Sequence, residues 1–246
     1  MYNPKGNGKE KTIQSIHYNE VKPPKHLSHI VHRFLELKTN FPLPDDYCFH
    51  ALPDACTYII FNQIDTNNSG VTKLNISARE LNLGKVFHYI NIRLLPGVWQ
   101  NISENISDGM INLPYNGNLS LTQISYKLTK LDFTQKQVVL SEFIENLIEK
   151  KLLVPNFITE KIFENLDDIH TVADMARVSC LSARQLQRTL KQTTGFTPHD
   201  FLKILRLQRA LTGHDFPSYA DQSHFIHSFR KATGYTPIKY HKKYDV

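Results

Sequence analysis

Arg188-Thr-Leu-Lys-Gln-Thr-Thr-Gly195-Phe-Thr-Pro198-His-Asp-Phe201 returns 39 residues later as His227-Ser-Phe-Arg-Lys-Ala-Thr-Gly234-Tyr-Thr-Pro237-Ile-Lys-Tyr240. Each copy reads as the end of a helix, a glycine stop, and a proline opening the next helix. Glycine takes the left-handed conformation that closes a helix. Proline lacks the amide hydrogen that a first turn does not use. A repeated helical unit points to two similar surfaces that meet a repeating partner. Duplex DNA, with one major groove per turn, is such a partner.

Working outward, Thr171 caps a predicted helix through Val172-Ala-Asp-Met-Ala-Arg-Val, with Val172, Met175 and Ala176 on one face. Ser179-Cys180-Leu181 reads as a turn. Ser182 then caps a second helix, 183–194, in which Leu186 and Leu190 point inward and Arg184, Gln185, Gln187, Arg188 and Lys191 outward. A short helix, a tight turn and a longer helix with an Arg/Gln-rich face make a helix-turn-helix, whose second helix enters the major groove. Arg suits guanine and Gln suits adenine, while lysines and capping hydroxyls hold phosphates. Phe201, Leu202, Leu205 and Leu211 give the following helix an apolar side suited to holding two DNA-binding halves apart. The 39-residue offset carries Ser182, Leu186 and Leu190 onto Asp221, Phe225 and Phe229. A second candidate reading helix follows, with Gln222, Ser223, His224, His227, Arg230 and Lys231 outside.

The net charge of +6 is uneven. Residues 171–246 carry 12 Lys and Arg against 5 Asp and Glu, while residues 1–170 are close to neutral. A basic segment beside a neutral one is the footprint of nucleic-acid binding. The three cysteines, Cys48, Cys56 and Cys180, form neither a disulfide framework nor paired metal spacing, which fits a reducing cytosol. The polar start and the lack of a long apolar run place the chain in the cytoplasm, with no membrane partner expected.

At these residues the chain resembles the AraC/XylS family of bacterial transcription regulators. The resemblance lies in Leu181-Ser-Ala-Arg-Gln-Leu-Gln-Arg188, Gly195-Phe-Thr-Pro198, Leu205-Arg206-Leu207, Asp221-Gln-Ser-His-Phe225 and Phe229-Arg-Lys-Ala-Thr-Gly-Tyr-Thr-Pro237, and covers about residues 168–244. It implies two helix-turn-helix units joined by a long helix. The implied base-contacting residues are Arg184, Gln187 and Arg188 in the first unit and Gln222, Ser223, His224 and His227 in the second. Ser182, Lys191, Arg230 and Lys231 are the phosphate contacts expected beside them. Two departures stand out. Cys180 occupies a turn position where the family has glycine, at a cost of about 1–2 kcal/mol if the backbone is left-handed. The stretch 211–219, which holds Gly213 and Pro217, stands where a positioning helix belongs, so the second unit reads as shortened.

The first part of the chain reads as β-rich. Thr57–Phe61 and Val86–Leu95 are predicted strands, and turn signals lie at Pro42/Pro44, Asn67-Asn-Ser-Gly70, Pro96-Gly97 and Asn116-Gly117. Residues 1–15 read as a loose polar lead. Leu27, Ile30, Val31, Phe34 and Leu35 have helical spacing, so a helix is predicted over His26–Leu37, placing His29 and His32 three apart. Pro53-Asp54 and Arg93-Leu-Leu-Pro-Gly97 resemble, more faintly, a sensor-type domain attached to some AraC-like regulators, which implies a cupin-like fold. From Leu119 the period becomes helical. Val139, Leu140, Phe143, Ile144, Leu147 and Ile148 form one stripe, read first as core and second as a dimer or signalling surface. Trp99 reads as a core or rim aromatic.

The fold expected is therefore α+β: a β-rich sensor-like domain over residues 1–118, a helical linker or dimerisation region over 119–165, and an all-α DNA-binding domain over 166–246. No nucleophile elbow, phosphate loop or dinucleotide fingerprint occurs, so neither catalysis nor a cofactor or metal is expected. The function expected is sequence-specific transcription regulation, as an activator or a repressor, with the first domain sensing a small molecule or mediating dimerisation. Double-stranded DNA is the main partner, and RNA polymerase and a second copy of the chain are the others considered. The alternative is an interaction protein whose shortened second unit no longer reads DNA.

Overall fold

The computed structural model describes residues 2–10, 15–72, 74–100, 106–107, 113–211 and 222–245. It is mixed, with a strand-rich first part and a helical remainder. Six strands, β2 (Ile16–Val21), β3 (Val31–Thr39), β5 (Thr57–Asn62), β6 (Ser69–Thr72), β8 (His88–Leu94) and β9 (Ile106–Ser107), form a sheet in the order β2-β3-β8-β5-β6-β9. Its pairs are antiparallel except β6 with β9. A second, antiparallel sheet has the order β10-β1-β4-β7, with β1 (Asn7–Glu10), β4 (Cys48–Ala51), β7 (Arg79–Asn82) and β10 (Tyr244–Asp245).

Alternation along the strands sorts side chains between two layers. On β8, Ile90, Ile92 and Leu94 join the core beneath the helices α1 (Leu121–Leu128) and α2 (Phe133–Glu149). Tyr89 instead packs into the cluster that joins the two sheets, and Asn91 and Arg93 line the space between them. The α2 stripe, Val139, Leu140, Phe143, Ile144 and Leu147, is core of this first unit, packed with Phe34, Ile59 and Phe61. A capping box between Asp132 and Gln135 starts α2. Lys136, one turn in, is buried and reaches Glu36 on β3 at 3.0 Å. Trp99 is half-buried on the same core and bridges to Leu153.

Two expectations are corrected. His26–Leu37 is not a helix: a 3-10 turn over Lys25–Leu27 leads into the strand β3. Val31 and Phe34 of β3 pack in the core under the helices while Leu35 and Leu37 face the space between the sheets, and a strand buried on both faces loses the period-two alternation that would have identified it. Nor are the first residues loose. Tyr2 is buried and stacks on Phe163 with ring centroids 4.3 Å apart, and Asn7–Glu10 pairs with both β4 and β10. The glycines there serve close approach: a β-carbon on Gly6 would fall on the Tyr58 hydroxyl and the Arg93 guanidinium.

Asn156 caps α3 (Phe157–Glu164), donates to the Gly97 carbonyl and so ties the helix to the Pro96-Gly97 turn, where Thr159 also donates to the Pro96 carbonyl at 2.9 Å. Then follow α4 (Val172–Val178), α5 (Ala183–Thr194), α6 (Pro198–Leu211), α7 (Gln222–Thr233) and α8 (Pro237–Lys243). α6 belongs to two cores. Phe201, Leu202, Ile204 and Leu205 pack with Met175, Leu186 and Leu190. Leu207, Ala210 and Leu211 pack with Phe225, Phe229 and Tyr240. No described helix is long and apolar enough to cross a membrane.

Candidate nucleic-acid interface and inter-sheet cavity

α4 begins at a capping box in which Thr171 accepts from the Asp174 amide and the Asp174 carboxylate accepts from the Thr171 amide and hydroxyl. The Thr171 hydroxyl bond, foremost among its causes, holds the Asp174 carboxyl down at about 2. The helix ends in a Schellman turn: the Leu181 amide donates to the Ala176 carbonyl at 2.9 Å and the Cys180 amide to that of Arg177 at 3.1 Å. Cys180 sits at φ 55°, the left-handed position, so cysteine here adopts the conformation that glycine normally supplies. Its side chain is exposed.

Ser182 and Gln185 then form a second capping box, which occupies the Ser182 hydroxyl as a local cap. Along α5, Leu186, Leu190 and Thr194 are buried, while Arg184, Gln185, Gln187, Arg188 and Lys191 are all exposed. The structure thus brings Arg184, Gln187 and Arg188 together on one open helical face. Lys191 reaches back to the Gly195 carbonyl at 2.9 Å. Two other cations of this region turn inward: Arg206 donates to the His170 carbonyl and Arg209 pairs with Asp167 at 3.1 Å.

The sequence repeat is also a repeat of local bonds. Thr194 donates to the Leu190 carbonyl and accepts from the Phe196 amide, and Thr233 does the same with Phe229 and Tyr235. Gly195 and Gly234 are both left-handed, at φ 72° and 82°. Phe201 and Tyr240 are both fully buried. On α7, Ser223, His227, Arg230 and Lys231 are exposed. The side chains of Gln222 and His224 lie outside the described residues. So does the stretch 212–221, which holds Gly213, Pro217 and Asp221 and with them the expected shortening of the second unit.

The helical part is seated on the strands by the opening segment. Gln208 of α6, itself buried, accepts from the Lys5 amide at 2.7 Å and donates to the Lys5 and Pro53 carbonyls. His50 on β4 stacks on Tyr244 and meets Tyr240 and Tyr235. Burial holds the His50 imidazole down at about 4. The Ala78 amide donates to the Ala232 carbonyl at the end of α7 at 2.7 Å.

Between the two sheets lies a cavity of about 100 Å³. Arg93, almost wholly buried, stands at its polar end. Nε donates to the Tyr58 hydroxyl, Nη1 to the Pro4 carbonyl and His32 Nδ1, and Nη2 to Glu20 and the Tyr18 hydroxyl. All five guanidinium hydrogens are thereby used. Burial, followed by the neighbouring Arg93 charge, holds His32 down at about 2, so the imidazole is neutral and Nδ1 is free to accept. Asp54 accepts from the Cys56 amide and the Tyr58 hydroxyl. Burial raises its carboxyl, against the pull of Arg93. In the sequence Asp54 and Arg93 carry only a resemblance, and their partnership appears in the fold. The one local signal is Arg93 set between Ile92 and Leu94 on a strand, where a buried guanidinium requires a partner.

Residues 19–110 match the model of a family described as a domain of unknown function, DUF6597. That span begins within β2 and runs through β9, with Asp54, Tyr58 and Arg93. No curated protein and no solved structure matches the chain.

Proposed function

We propose that the chain is a sequence-specific DNA-binding transcription regulator of the AraC/XylS type, with the strand-rich unit as its small-molecule sensor. The observation that carries this reading is the α4–turn–α5 unit, whose second helix presents Arg184, Gln187 and Arg188 on an exposed face. The same local bonding recurs in α7, and the chain's excess positive charge lies in this region. In this reading α5 enters a major groove, Arg184 and Arg188 bind guanine edges and Gln187 an adenine edge. α7 addresses the next groove through Ser223 and His227, with Gln222 and His224 as further base contacts. Lys191, Arg230 and Lys231 neutralise phosphates, and α6 fixes the distance between the two helices. The matched DUF6597 span is where the sequence resemblance places the sensor.

Gel shifts on DNA from upstream of its own gene, across a salt series, test the proposal. Three phosphate-binding cations predict a log–log salt slope of about −3 or steeper. Arg184→Ala is expected to weaken the preferred site by about 1–3 kcal/mol and to relax base choice in one half-site. Lys191→Ala should weaken all sequences alike. Footprinting should protect two segments about 34 Å apart. Absent or salt-insensitive binding would overturn the reading, and a single protected segment would confine DNA contact to α5.

A further inference from the structure

We propose that the space between the two sheets takes a small uncharged molecule carrying a hydroxyl or similar hydrogen-bond donor, received by Asn91 Oδ1. This rests on reading the strand-rich unit as a sensor. Asn91 lies on β8 and lines the cavity, and its Oδ1 is buried with no hydrogen-bond partner among the described residues. A buried acceptor left unmatched is costly, so a donor that enters the cavity gains more there than in water. The body of the cavity is apolar, with Leu35 and Leu37 from one sheet facing Phe49, Ala51 and Leu81 from the other.

The polar end offers no simple counter-ion. Every N–H of Arg93 is engaged, by Tyr58, Pro4, His32, Tyr18 and Glu20. Both Asp54 oxygens accept bonds from the protein. An anionic or cationic ligand at this end would have to displace one of these contacts, whereas a neutral one would not; Arg79, the other cation on the lining, has a contact of its own. Size narrows the class further. A protein cavity of about 150 Å³ holds benzene, with its six non-hydrogen atoms, so about 100 Å³ suits a smaller molecule of roughly four or five.

Calorimetric titration of the full chain with four probes of about that size tests the proposal: cyclobutanol, cyclopentane, propionate and cyclobutylammonium. Cyclobutanol is expected to bind about tenfold more tightly than cyclopentane, from the donated hydrogen bond. Asn91→Leu should bring the two within about threefold of each other. Ala51→Leu, which fills the space, should abolish both. Thermal unfolding of each variant establishes that it is folded. Equal binding of cyclobutanol and cyclopentane, an unchanged preference in Asn91→Leu, or no binding at all would overturn the proposal. A preference for propionate would overturn it too and implicate Arg79, the other cation on the lining. Gel shifts on the same preparations separate the two readings. DNA binding without cyclobutanol binding rejects only the ligand class, and the reverse rejects only the regulator.

Discussion

Replacing Cys180 by glycine should stabilise the helical unit. Cys180 is the residue after the α4 cap, in the left-handed conformation at φ 55°, and both hydrogen bonds of its turn are made. A β-carbon in that conformation costs about 1–2 kcal/mol. Glycine removes this strain but widens the unfolded ensemble, which takes back about 0.4–1 kcal/mol. The net gain is roughly 0.5–1 kcal/mol, or a rise in Tm of about 1–4 °C for a chain of this size. The thiol is exposed and contributes little, so Cys180→Ala, which keeps the β-carbon, is expected to change stability by less than about 0.5 kcal/mol. Urea unfolding followed by circular dichroism measures all three proteins. A destabilised Cys180→Gly would refute the reasoning. An equal gain from Cys180→Ala would refute it as well, because the thiol rather than the backbone would then be responsible.

Glu36 is buried and bonded to His88, Lys38 and Lys136; burial pushes its carboxyl up, but these bonds outweigh it and hold it well below the usual range. Glu36→Leu should therefore destabilise by about 3–5 kcal/mol by leaving Lys136 unpaired in the core, and adding Lys136→Met should recover most of it, as read from denaturant midpoints. His50 binds its proton at about 4 in the folded chain against an ordinary 6.5. Its contribution is therefore complete above about pH 6.5 and is lost as the pH falls toward 4, at about 1.4 kcal/mol per unit. His32, held at about 2, adds the same slope over that window. His50→Phe should roughly halve the acid dependence of stability, and an unchanged slope would exclude His50 as a source.

The helical unit was legible because its signals are local. Thr171, Ser182, Gly195 and Pro198 each act within one turn, and α4 and α5 run as the sequence predicts, over Val172–Val178 and Ala183–Thr194. The strand-rich unit was legible only at Thr57–Asn62 and around His88–Leu94, where β-branched and aromatic residues concentrate. β1, β4, β7 and β10 are short, and their stability comes from partners far along the chain, which no local pattern encodes. β3 misled because burial on both faces imitates helical spacing. The exposed face of α5 could be read from its period. The Arg93–Asp54–Tyr58 group and the orphan Asn91 oxygen could not, because they arise from strand pairing and from Tyr18 and Pro4 closing in from elsewhere.

The clasp between Lys5 and Gln208 joins residues 203 positions apart, and Glu10 pairs with Tyr244. During synthesis the edge of β1 that faces β10 therefore stays unpaired until Tyr244 has emerged, although β4 can take its other edge much earlier. The sheet β2-β3-β8-β5 can assemble much earlier, because its strands all lie within residues 16–94. Synthesis thus separates an early β unit from a late event in which residues 2–10 meet α6 and β10. Contacts this distant in sequence make that last step the slow one. A chain caught before it would present the bare β1 edge to its neighbours, so aggregation during expression should respond to changes in Tyr2 or Gln208 more sharply than final stability does.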